Sequence, residues 1–292
     1  MDGVSLEVPA GSFAVLLGPS GCGKSTLLRT ANRLVHPDSG RVLIGDRDVA
    51  TQDETQLRRG IGYVIQAVGL FPHLTVGQNV AVVPDLLGWS REKISSRVDE
   101  LLLLVSLDSG RYRTRYPREL SGGEQQRVGV ARAIAAEPGV LLMDEPFGAV
   151  DAIVRASLQA EIREIARRLE TTILFVTHDV DEALRLADRI VVMREGRVEQ
   201  YDTPLALLRN PATPYVAKLV DAQDAVRKLG LLSVRAAMAA PGKDAAASID
   251  VEATLRDALG AFLDGASALA VTENGTAVGS LTFDAVRAAL RA

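Results

Sequence analysis

FAVLLGPSGCGKST, residues 13–26, runs five apolar residues into a glycine-rich turn that ends in Lys-Ser-Thr. The apolar run predicts a strand buried on both faces, and the residues after the turn predict a helix. Between them the chain matches G-x-x-x-x-G-K-[ST] in full, with Gly18, Gly23, Lys24 and Ser25 at the required places. Such a loop is a phosphate cradle. Glycines let the backbone wrap closely, its N–H groups point inward, and the helix start adds favourable potential. Gly18, Pro19, Ser20, Gly21, Cys22, Gly23, Lys24, Ser25 and Thr26 are therefore expected to bind nucleotide phosphates. Lys24 supplies a point charge, and the Ser25 hydroxyl is placed for Mg²⁺.

Further apolar runs follow at VLLMD (140–144), ILFVT (173–177) and RIVVM (189–193), with helical patterns between them. In LQAEIREIARRLE the residues Leu158, Ile162, Ile165 and Leu169 form one apolar stripe, and Glu164 is spaced to pair with Arg168. REGR (194–197) predicts a hairpin turn into VEQYD. The expected fold is α/β: a P-loop cassette with a mostly parallel sheet. From about 85 to 137 the pattern is helical without a strong strand, as for an inserted helical subdomain. After about residue 221 the texture becomes alanine-rich, and MAAPGKDAAAS (238–248) predicts a flexible connection. Beyond it come a helix (254–263), a strand (268–272), an Asn274-Gly275 turn, a strand (278–282) and a helix (283–290). The expected domains are thus 1–221 and 222–292, the second a small α+β module behind a linker.

Chemistry concentrates at strand ends. Asp144 would face the metal bound by Ser25, and Glu145 is placed to deprotonate an attacking water. Gln66, ending GYVIQ, can reach metal or water, and His178 follows the strand ILFVT. In a parallel sheet, ligands bind at the edge where these strand ends gather. His36 and His73 have no such context and are expected on the surface or in packing. LSGGEQQRV (120–128) is a second anion-receptive helix start, and Ser121 with Glu124 also fits a capping box. This segment, in the separate helical insertion, cannot easily serve the same phosphate as Lys24, because the first loop already wraps one nucleotide's phosphates.

Composition narrows the alternatives. The chain has 292 residues, enough for one large domain and a small one, and 47% hydrophobic residues, enough for a full core. Aromatics at 4% and a net charge of -4 argue against nucleic acid as a partner. Cys22 is the single cysteine, which fits a reducing compartment. No apolar run approaches the roughly 18 residues needed to span a bilayer, and MDGVSLEVPAG shows no leader pattern.

The P-loop, Gln66, LSGGEQQRV, VLLMDEP, the FGAVD segment ending in Asp151, and His178 together resemble the ATP-binding cassette ATPases. That resemblance implies a head-to-tail homodimer with two ATP–Mg²⁺ at its interface. Ser121, Gly122 and Gly123 of one subunit would cap the phosphate held by Lys24 of the other, and Asp151 would communicate between the sites. Ser25, Gln66 and Asp144 would hold the metal. Glu145, His178 and Gln66 would be catalytic, with His178 contacting the γ-phosphate.

IGYVIQAVGLFPHLTVGQNVAVVPDLLGWS (61–90), DEPFGAVD and EQYDTPLALLRNPATPYV (199–216) are similar to the ATPases of importers for quaternary-ammonium osmoprotectants such as glycine betaine, choline or carnitine. This implies two integral-membrane permease subunits, a solute-binding protein, and a peripheral place on the cytoplasmic membrane face. Residues 254–290 resemble one cystathionine-β-synthase-type (CBS) repeat. Two departures stand out. The edge strand and adenine-stacking aromatic expected ahead of the first strand have no counterpart, Phe13 being the first aromatic. Either the start lies upstream or adenine is held loosely, and loose holding implies weak nucleotide affinity. The CBS-like repeat is also single where a pair is usual, which implies pairing across the dimer or a stabilising role alone. The alternatives are an importer ATPase for another solute, such as an amino acid or polyamine, and a soluble cassette ATPase acting on DNA or ribosomes. The short interval between Lys24 and Leu120 leaves no room for the coiled-coil arm of the latter.

Overall fold

The computed structural model describes residues 1–66, 69–148, 150–241 and 247–291. They pack as two units, Met1–Thr203 and Pro204–Ala292. In the first unit the strands are β1 (Phe13–Leu17), β2 (Leu43–Ile44), β3 (Arg47–Asp48), β4 (Ile61–Val64), β5 (Val140–Asp144), β6 (Thr172–Thr177), β7 (Arg189–Arg194) and β8 (Arg197–Asp202). Six of them form one sheet in the order β4-β5-β6-β1-β7-β8. Neighbours from β4 to β7 run parallel, and β8 closes the edge antiparallel through the Glu195–Gly196 turn. Every residue of β1 is buried, as its unbroken apolar run requires.

Register then gathers the chemistry. Leu17 pairs with Thr177, Asp144 with Val176, and Val64 with Met143. The carboxyl ends of β1, β4, β5 and β6 therefore finish level at one sheet edge. The P-loop, Gln66, Asp144–Glu145 and His178 all follow from those ends. Beneath them Leu16, Leu28, Leu142, Val176, Val191 and Met193 form a continuous buried cluster.

Between β4 and β5 the described residues contain helices and no strand, although the first helix, Val76–Leu86, begins earlier than residue 85. Its valines and internal Pro84 disguise it. Thr75 and Gln78 close a capping box, and the fully buried Asn79 side chain accepts from Phe71 N–H and donates to Leu74 and Thr75 carbonyls. Helices Arg91–Leu104, Ser109–Tyr112 and Gly122–Ile134 complete the subdomain. The helix Ala152–Arg168 buries Leu158 and Ile162 as expected, but Leu169 lies past its end and is exposed. Glu164 pairs with Arg167, one position short of the expected Arg168, because i+3 neighbours are equally close on a helix.

The second unit holds β9 (Ala247–Asp250), β10 (Ala268–Glu273) and β11 (Thr276–Thr282) in one sheet, with β9 parallel and β11 antiparallel to β10. Asn274 and Gly275, both at positive φ (50° and 79°), make the hairpin turn. Helices Leu255–Leu263 and Phe283–Arg291 contribute Leu255 and Val286 to a core with Leu229, Val234, Leu269 and Leu281. Leu205 packs against this core, so the packing boundary falls at Thr203–Pro204, ahead of the expected 221. Of the expected connection 238–248, residues 242–246 lie outside the described residues. Its ends are structured: Ala239 bridges to Ser280, and Ala247 opens β9. Residues 1–12 form no strand.

Candidate active site

The P-loop is shaped by its glycines, Gly18 most of all. A β-carbon on Gly18 would lie 2.3 Å from the Met193 carbonyl oxygen, and Gly23 caps the helix Lys24–Ala31 at φ 106°. Lys24 is buried, and its Nζ donates to the carbonyls of Gly18 (2.7 Å) and Pro19 (2.9 Å). The ammonium thus lies inside its own loop, with Cys22, also buried, beside it.

One residue on, Ser25 Oγ donates to Asp144 Oδ1 at 2.7 Å. Asp144 is completely buried at the end of β5, and Arg29, one helical turn after Ser25, reaches its other oxygen at 3.4 Å. Hydroxyl and carboxylate oxygens in contact are hard donors suited to Mg²⁺.

Glu145 stands at the centre of a second group. Gln66 Nε2 donates to its Oε2 at 3.3 Å, and His178 Nδ1 lies 3.2 Å from its Oε1. Gln126 Nε2, from the helix Gly122–Ile134, donates to the Glu145 main-chain carbonyl at 3.3 Å. The Glu145 backbone sits at φ 46°, in the left-handed region, and its N–H is tied to Val176 O at 3.1 Å. A carboxylate held by an amide and an imidazole, one residue from a metal-suited pair, can take a proton from water at this edge. Gln66, expected on the metal as well, bonds Glu145. Sequence reasoning missed Arg29 and Gln126. The i, i+4 spacing of Ser25 and Arg29 was the available signal for the first.

Ser121, Gly122 and Gly123 lie elsewhere. Among the described residues no hydrogen bond joins them to the P-loop. Ser121 caps the helix Gly122–Ile134 in a complete box: its Oγ accepts from Glu124 N–H at 3.3 Å, and its N–H donates to Glu124 Oε2 at 2.7 Å. The box consumes neither the Gly122 and Gly123 N–H groups, which a helix start leaves without in-helix acceptors, nor the hydrogen of the Ser121 hydroxyl. Capping and anion binding are therefore compatible here. Tyr112 Oη donates to Glu124 Oε1 at 2.6 Å. This bond lowers the Glu124 carboxyl below its ordinary range and raises the Tyr112 phenol above its own. Asp151 caps the helix Ala152–Arg168 through Val154 N–H at 3.1 Å. His36 and His73 are exposed, as expected.

The sheet order, the loop after β1 and the carboxylates ending β5 define a P-loop nucleotide-binding cassette. Residues 1–148 match the profile of the ABC transporter family. The chain is 52% identical over 220 residues to the glycine betaine/carnitine/choline transport ATP-binding protein OpuCA of Bacillus subtilis, covering 75% of this chain and 58% of that one. It therefore spans less than two thirds of that relative. The glycine betaine uptake system ATP-binding protein YehX of Escherichia coli is 48% identical over 264 residues, covering 90% of this chain and 85% of that protein. Among solved structures, the ATP-binding cassette MJ0796, a dimer in a post-hydrolysis state bound to ADP and Pi, superposes with a TM-score of 0.64 at 32% identity, covering 68% of this chain and 88% of the other. The chain belongs to the ABC transporter family.

Proposed function

We propose that this chain is the ATP-hydrolysing subunit of an importer for a quaternary-ammonium osmoprotectant such as glycine betaine, choline or carnitine. The observation that carries the catalytic part is Glu145, held by Gln66 and His178 beside the Ser25–Asp144 pair. The solute is supported by the relatives' names, above all by an alignment with the glycine betaine protein that runs through 90% of this chain.

In this reading the P-loop N–H groups and Lys24 bind the ATP phosphates. Ser25 Oγ and Asp144, with Gln66 alongside, would hold Mg²⁺, which neutralises charge on the phosphates when bound. Among the described residues no three His, Cys, Asp or Glu side chains cluster as a metal site. That suits a cation whose remaining ligands are substrate phosphates and water. Glu145 takes the proton of the attacking water, Gln66 fixes that carboxylate, and His178 bridges it to the γ-phosphate.

A head-to-tail homodimer completes each site. Ser121, Gly122 and Gly123 of one subunit cap the phosphate on Lys24 of the other, and Asp151 lies between the two sites. Support comes from the free N–H groups of the capped helix start, and from the dimeric cassette that superposes on this chain. Among the described residues no helix is long and apolar enough to cross a membrane. In this reading the subunit is a peripheral protein beneath two permease subunits fed by a solute-binding protein. The second unit is read as a CBS-type module that meets its copy across the dimer, where Leu263 and Phe283 offer exposed apolar surface.

The test is reconstitution with the permease subunits in liposomes. ATP-dependent uptake of labelled glycine betaine, choline or carnitine is expected, and Lys24→Ala should abolish it. Hydrolysis without uptake of any of the three would overturn the osmoprotectant assignment and leave the ATPase.

A further inference from the structure

We propose that Tyr112 is a positioning residue for the phosphate-capping helix start: its hydroxyl holds Glu124, and through Glu124 it orients Ser121, Gly122 and Gly123 toward the neighbouring subunit's nucleotide. The proposal rests on the composite-site reading and adds to it a residue that touches neither substrate nor metal.

The argument begins with a conflict of charges. Glu124 sits at the third position of a helix whose first turn is to receive a polyanion. A carboxylate free to swing across that turn would repel the phosphate it should admit. In the structure it is not free. Its Oε2 is fixed on Ser121 N–H at 2.7 Å, and its Oε1 on Tyr112 Oη at 2.6 Å. Both oxygens are occupied, so the carboxylate is turned into the box and away from the open N–H groups of Gly122 and Gly123. A capping box supplies the first of these bonds anywhere. Tyr112 supplies the second only here.

Tyr112 is itself well anchored. It ends the short helix Ser109–Tyr112, capped by Asp108, which accepts from Arg111 N–H at 2.8 Å. Ser109 Oγ donates to Asp99 of the helix Arg91–Leu104, and Arg113 pairs with the same carboxylate. The guanidinium carbons of Arg111 and Arg115 lie 5.3 and 5.0 Å from the centre of the Tyr112 ring. These two cations act to lower the Tyr112 phenol, against the raising effect of Glu124, and Arg127 on the Gly122–Ile134 helix helps to lower the Glu124 carboxyl. A short path of polar contacts thus runs from the helix Arg91–Leu104 to Ser121.

The experiment uses full-length protein carrying Glu145→Gln, in which ATP-bound dimers should accumulate. Two quantities are measured: ATP affinity at protein concentrations where the chain is monomeric, and the dissociation constant of the ATP-bound dimer by sedimentation. Adding Tyr112→Phe, which removes one oxygen, should leave monomer ATP affinity within about twofold. It should weaken the dimer about tenfold or more, the loss expected for a hydrogen bond to a charged group. With Glu124→Ala already present, Tyr112→Phe should add little, because the two act through one bond. A dimer as tight as the parent, or a monomer that loses ATP affinity in parallel, would overturn the proposal. So would full additivity with Glu124→Ala. If the parent with Tyr112 intact forms no ATP-dependent dimer, the composite-site reading falls, and this proposal falls with it.

Discussion

His178 Nδ1 lies 3.2 Å from Glu145 Oε1, although the two residues leave different strands, β6 and β5. The contact exists because the parallel register brings both strand ends level, and it defines what each side chain can do. Glu145 has a neighbour that can share a proton, and His178 is oriented by a carboxylate. The proposed chemistry depends on that pair.

Glu145→Gln is expected to slow ATP hydrolysis by about 10²–10⁴-fold, the range for losing a general base, while ATP still binds. Single-turnover hydrolysis and nucleotide binding, measured on the same preparation, check this. A variant that hydrolyses at the parent rate removes Glu145 from the mechanism.

Ser121→Arg should abolish hydrolysis by filling the open helix start, and Lys24→Ala should abolish it by removing the phosphate cation. Mixed together, the two inactive proteins should regain partial turnover, since a hybrid dimer contains one site with intact Lys24 and intact Ser121. Continued silence from a mixture shown to contain hybrid dimers would place both residues in one subunit's own site.

Gly18→Ala should destabilise the fold by about 1–3 kcal/mol, because the added carbon meets a backbone oxygen that cannot withdraw. ATP affinity should fall as the loop shifts. Gly21→Ala is the comparison, since nothing lies within 4 Å of its new carbon and only its positive φ is unfavourable. Equal stability of parent and Gly18→Ala in denaturant titrations would contradict the close approach to Met193.

Glu182 gives a pH-dependent prediction. It is buried, its Oε1 accepts from Gln159 Nε2 at 2.6 Å, and burial is the main cause of its raised pKa, which the neighbouring Asp179 carboxylate raises further. Thr177, Gln159 and Arg155 act in the opposite direction. The folded chain therefore binds this proton more tightly than the unfolded chain. The corresponding stability is fully present below the ordinary carboxylate range and is lost as pH rises through the folded value. Glu182→Gln keeps an acceptor for Gln159 and should flatten that decline, leaving the variant at least as stable as the parent near neutrality. Melting temperatures measured from acid to neutral pH decide it; a parallel pair of curves would show that Glu182 does not titrate abnormally.

The sheet was readable from sequence because strands buried on both faces need largely apolar runs, and 13–17, 140–144, 173–177 and 189–193 supply them. The site was readable where it is local: the loop 18–26, the pair 144–145, the turn at 178. What escaped is non-local or disguised. Gln126 reaches Glu145 across nineteen positions of chain, and Tyr112 meets Glu124 only because one short helix docks beside another. The helix Val76–Leu86 was hidden by valines and a proline that favour other conformations in isolation, and were overridden by a buried asparagine. β9 begins inside an alanine-rich run whose composition alone reads as a connection. Leu205 lies far from the residues it packs with, so the packing boundary at 203–204 left no compositional mark.

The left-handed backbone at Glu145 has a consequence for anyone ranking variants of this chain. A non-glycine residue there is held uphill by an amount of order 1–3 kcal/mol. Glycine at 145 would relax that strain and delete the proton acceptor in the same step. A screen that scores heat resistance would therefore favour glycine at 145 and, with it, a protein that no longer turns over. At this one residue, melting temperature and turnover pull in opposite directions, and a melting temperature read alone will mistake the inert protein for the improved one.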